Sequence, residues 1–144
     1  GGAALMTRIA VFSDLHGVVQ ALDAVRAAIA AAAPDVIAVA GDLAMNGGDP
    51  AATVDGIREL EAAGALVIAG NTDIAVADFD FAAAFPSIDD VPTSMRDSAE
   101  WSHDQLSEEQ LDWLRRLPSR RVCSVKLATA RSATYSSAIA AWPS

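Results

Sequence analysis

Asp14, His16, Asp42 and Asn71 are the residues of this chain whose types and spacing could do chemistry. They stand in Ser13-Asp14-Leu15-His16-Gly17, Gly41-Asp42-Leu43 and Gly70-Asn71-Thr72-Asp73. Two carboxylates, an imidazole and an amide oxygen suit a hard or borderline divalent cation, with Zn, Mn, Fe or Ni favoured over Ca. At a strand end, alternation aims Asp14 and His16 to the same side, and Gly17 lets the backbone turn close beneath an ion. Each residue also has a plain alternative. Asp14 could cap a helix, and Asp42 and Asn71 could be turn residues. In order, each after an apolar run, they read together as one metal site.

The elements that must position them are short apolar runs: Arg8 to Phe12, Val36 to Ala40 and Ala65 to Ala69. Runs of this kind, ending at Gly or Asp and alternating with helical stretches, predict buried parallel strands over about 7–12, 35–40 and 65–69. Ligands of open α/β sheets sit beyond the carboxyl ends of such strands, which is where all four donors fall. Helices are predicted over about 18–33, with Val19, Leu22, Val25 and Ile29 on one face, and over 51–63, with Val54, Ile57 and Leu60. Pro50 fits the first position of the second helix and Gly64 its end. From Ile74 to Asp97 the pattern weakens and predicts a partly helical excursion that becomes a covering loop. A helix over about 107–116 opens at Ser107 and presents Leu111, Leu114 and Leu117, and Arg121 to Leu127 alternates as a strand. Ala128 to Ser144 shows neither a strand period nor a helix cap.

At 144 residues the chain reads as one domain, α/β in class, with 52% apolar residues. Residues 1–6 read as a leader or tag and 123–144 as an atypical tail. No stretch is long and apolar enough to span a bilayer, and no secretion signal opens the chain. The single cysteine, Cys123, fits a reducing cytoplasm and a place in the core. All 19 acidic residues and only four basic ones lie within residues 1–112, whereas 113–144 hold six basic residues and no acid. An acidic body argues against nucleic acid as the main partner.

Asp-x-His, Gly-Asp and Gly-Asn-x-Asp at successive strand ends, about 28 residues apart, resemble the calcineurin-like metallophosphoesterase family. Gly48-Asp49-Pro50, Trp101 and Leu114-Arg115-Arg116-Leu117-Pro118 are similar to its small bacterial, phosphodiesterase-like members, and the likeness covers about residues 7–122. The resemblance implies a β-sandwich flanked by helices and incomplete at the C-terminus. It implies two divalent metal ions: Asp14 and His16 hold the first, Asp42 bridges, and Asn71 holds the second. It implies hydrolysis of a phosphodiester or nucleotide by a metal-activated water, with no protein nucleophile. Asn71 and Asp73 are then the catalytic residues, Asp73 ordering the loop or meeting metal-bound water. Thr72 stands where many members carry an acid histidine. The family's later His and Gly-His-x-His ligands are absent, and His103 falls on an outer helix, which weakens the second metal site. A truncation or shifted reading frame after about Val122 would produce that pattern. The alternative functional expectation is a remnant that binds at most one ion. A receiver domain with a phospho-acceptor Asp leaves His16 and Asn71 without a role. An unpaired sheet edge makes self-association an expectation.

Overall fold

The computed structural model describes residues 6–126 and 134–139. Ile9–Phe12 forms β1, Val36–Val39 forms β2 and Leu66–Val67 forms β3. These β-branched and apolar runs are too short for stable helices and suit a pleated sheet. They make a parallel sheet in the order β1-β2-β3, with Phe12 opposite Val39 and Val39 opposite Val67. The crossovers are α1, Val19–Ala32, and α2, Pro50–Ala62. The α/β class and its β-α-β-α-β opening are therefore as the pattern predicts, with each strand shorter than expected.

The apolar stripe of α1 is covered less than its spacing suggests: Leu22 alone is fully buried, while Val19, Val25 and Ile29 are half-exposed. In α2 the cap is local, the Asp49 carboxylate accepting from Ala52 N–H at 3.0 Å with Pro50 next in line. Val54 and Ile57 enter the core beside Val39, Val67, Leu43 and Met45.

The segment expected to be partly helical and then a loop is helical at both ends, with residues 85–92 non-helical between. Asn71–Asp78 is α3, Phe81–Ala84 is α4 and Thr93–Asp104 is α5. Four of the eight residues these helices bury are alanines, Ala75, Ala77, Ala84 and Ala99, which let the helices approach closely but carry little hydrophobic contrast. The last described helix, α6 (Glu108–Arg116), has a reciprocal cap between Ser107 and Gln110 and buries Leu111, Trp113 and Leu114.

Arg121–Lys126 forms β4, which pairs antiparallel with β5, Thr134–Ile139, Cys123 opposite Ser137. β4 lies where a strand was expected, but none was expected beyond Ala128, because the small polar residues there blur any alternation. Cys123 is half-buried on β4 rather than in the core. The readings made for residues 1–5, 127–133 and 140–144 lie outside the described residues. Among the described residues, no helix is long and apolar enough to cross a membrane.

Candidate metal centre

β1 ends at Phe12, so Asp14 and His16 are not brought together by strand alternation. The chain has already left the strand, and Asp14, His16 and Asp42 all adopt left-handed backbone, with φ of 59°, 47° and 57°. Non-glycine residues rarely occupy that region, and such strain concentrates at functional sites. The two loops hold each other through their backbones: Asp14 N–H donates to Gly41 O at 3.1 Å, His16 N–H to Asp42 O at 3.0 Å and Gly17 N–H to Leu43 O at 2.7 Å.

Gly41 and Gly70 explain why the second and third motifs begin with glycine. Gly41 has φ +90°, and a Cβ there would land on Gly70 backbone. A Cβ on Gly70 would land on the backbone and carboxylate of Asp42. Two bare backbones in contact thus bring the end of β2 against the start of α3.

The outcome is a cluster. One ligand atom from each of Asp14, His16 and Asp42 lies within 4.8 Å of the others, Asp14 exposed and the other two half-buried. Their plain alternatives do not hold. α1 is entered from Val18 with no side-chain cap, and Asp42 is engaged across the sheet rather than in its own turn. Its Oδ1 accepts from Thr72 N–H at 3.1 Å and from the Thr72 hydroxyl at 2.6 Å. Asn71 opens α3 next to Thr72, half-buried at the same rim. Asp73 is 1% exposed, its carboxylate accepting from the amides of Asp42 (2.9 Å), Leu43 (2.8 Å) and Gly70 (2.8 Å). Burial pushes its carboxyl up to about 6, and the three amides pull it down. His103 lies elsewhere, its ring packed on Phe79 and its Nδ1 donating to Val76 O at 2.7 Å.

The histidine reports whether a cation fits. Its Nδ1 lies 3.1 Å from Met45 O, and a carbonyl only accepts, so Nδ1 carries the hydrogen of the neutral ring. Nε2 is then a lone pair facing Asp14 Oδ1 at 3.4 Å. Two lone pairs so placed repel unless a proton or a cation lies between them. An imidazole anchored by a backbone carbonyl, beside two carboxylates, is a ligand set for a first-row divalent ion. Sequence reasoning missed the Met45 carbonyl, the Thr72 bonds and the Ser13 hydroxyl on Asp14. The first two have no signal in local sequence, since they join segments that meet only in the fold, whereas Ser13 is the immediate neighbour of Asp14.

The chain matches the calcineurin-like phosphoesterase superfamily domain over residues 7–130, past Val122. A metallophosphoesterase from Sphaerobacter thermophilus is 30% identical, over 83% of this chain and 44% of its own, with a TM-score of 0.60. A hypothetical protein from Pyrococcus horikoshii OT3 shares the fold at 21% identity and a TM-score of 0.71, over 84% of this chain and 52% of its own. The chain thus spans about half the length of these structures. No curated protein matches it. With most of its length matched and an imidazole–carboxylate cluster at the ends of two parallel strands, this chain belongs to the calcineurin-like phosphoesterase superfamily.

Proposed function

We propose that the chain hydrolyses a phosphate ester, a phosphodiester or nucleotide, with water as the nucleophile and divalent metal as cofactor. The observation that carries this reading is the approach of Asp14, His16 and Asp42 to within 4.8 Å, with His16 Nε2 3.4 Å from Asp14 Oδ1. When bound, metal ions in such a centre lower the pKa of water and offset the charge of the phosphoryl group. The chain's own residues do the rest. Asp14 and His16 would hold the first ion, and Asp42 would be shared with the second. Asn71 would offer its amide to the second ion without adding negative charge. Asp73, with both oxygens on backbone amides, acts by ordering the loops that present Asp42 and Asn71. The lone Cys123 supports a reducing, cytoplasmic setting.

A chromogenic phosphodiester tests the reading. Hydrolysis should require added Mn2+ or Ni2+, and Asp42→Ala should lower turnover at least about a hundredfold, the upper range for disturbing a metal's surroundings. Turnover that survives chelation, or a fully active Asp42→Ala, overturns it.

One observation favours a second reading, a protein that holds a single ion and does not turn over. Among the described residues the acidic and histidine ligands form one such group, Asp14, His16 and Asp42. The two readings differ in metal stoichiometry.

A further inference from the structure

We infer that Thr72 is a positioning residue for the metal centre, fixing Asp42 so that one carboxylate oxygen faces the cation. The inference rests on the metal-centre reading above and adds the group that orients the shared ligand. The Asp42 backbone is set by Asp73 and by the Gly41–Gly70 contact, but neither hydrogen-bonds the carboxylate. Thr72 does. Its N–H at 3.1 Å and its hydroxyl at 2.6 Å both end on Oδ1, taking up the two lone pairs of that oxygen and leaving Oδ2 to a cation.

Thr72 is itself held. It is 8% exposed, it sits in the first turn of α3, and a β-branched side chain on a helix has few rotamers. Its N–H is one of the donors that a helix start leaves without an intrahelical partner. The residue before the helix, Gly70, has no side chain to take that role. Asp42 takes it from the neighbouring loop, so one carboxylate both caps α3 and faces the metal site. A hydroxyl already donating to Asp42 is a bridge and not a proton source, which gives the threonine a role different from that of an acid histidine.

The test is Mn2+ affinity by titration calorimetry at fixed pH, with the unfolding midpoint of each variant measured in chelator. Thr72→Val keeps shape and removes the hydroxyl. It should weaken Mn2+ binding about tenfold or more, the range for loss of an outer-shell partner, with the folded fraction accounted for by the midpoint. Thr72→Ser keeps the hydroxyl and should restore affinity to within about threefold. Thr72→Ala removes the same group in a smaller volume and repeats the measurement should the valine fail to fold. Wild type and hydroxyl-free variants of equal affinity overturn the inference and leave the metal centre standing. A wild type that binds no Mn2+ overturns both.

Discussion

Asp73 shows what holding this site together costs at one residue. Its carboxylate is out of reach of water, and three backbone amides replace the lost hydration. Desolvation dominates, with the nearby charge of Asp42 adding to it, and the carboxyl titrates at about 6 instead of 3.8. Between about pH 4 and 6 the native state therefore holds more proton than the unfolded chain. By linkage, stability is gained as pH falls through that window and lost as pH rises through it. A shift of this size corresponds to about 3 kcal/mol. Metal-free wild type and Asp73→Asn should be unfolded in denaturant at several pH values. The difference between them should move by about 2–3 kcal/mol in favour of wild type on going from about pH 6.5 to pH 4. A difference that stays flat across the window would mean that the carboxyl titrates normally.

At the scale of elements, the site depends on glycines at contacts between segments, and the pair Gly70 and Gly48 separates that from mere flexibility. Gly70 has φ −91°, which any residue adopts, but a Cβ there would strike Asp42. Gly48 has nothing within 4 Å of its would-be Cβ. Gly70→Ala should lose about 1–3 kcal/mol, as overpacked positions do, and should weaken metal binding with it. Gly48→Ala should change stability by less than about 0.5 kcal/mol. Equal effects at the two positions would remove the packing account. The same contact marks how far the sequence could be read. Asp14, His16, Asp42 and Asn71 were visible because each ends an apolar run, and β1, β2 and β3 were visible because such runs have one common use. The left-handed turns at Asp14 and His16 were not, since they go with backbone bonds to Gly41 and Asp42, 27 and 26 positions away. Nor were α3 to α5, whose buried alanines make no stripe against their neighbours. β5 escaped for a related reason: its serines gain order from β4, not from their own pattern.

The whole molecule is acidic, with net charge −9 at pH 7, so any cation will relieve some self-repulsion and raise stability a little. A site makes a different and separable claim. Asp14 and His16 follow β1 and Asp42 follows β2, so an ion held by all three ties two crossover units at one rim. A ligand that binds only the native state at a hundred times its Kd adds about 2.7 kcal/mol, or roughly 8 °C in Tm for a chain of this length. Mn2+ should give that rise and saturate at a fixed number of ions per chain. Asp14→Asn should abolish most of it, while NaCl at matched ionic strength should give a small, unsaturating change through screening. Two equivalents at saturation support the two-metal phosphoesterase, and one supports the single-ion protein. If NaCl reproduces the whole shift, or Asp14→Asn keeps it, the ions are screening an acidic surface and the cluster at the strand ends holds no metal.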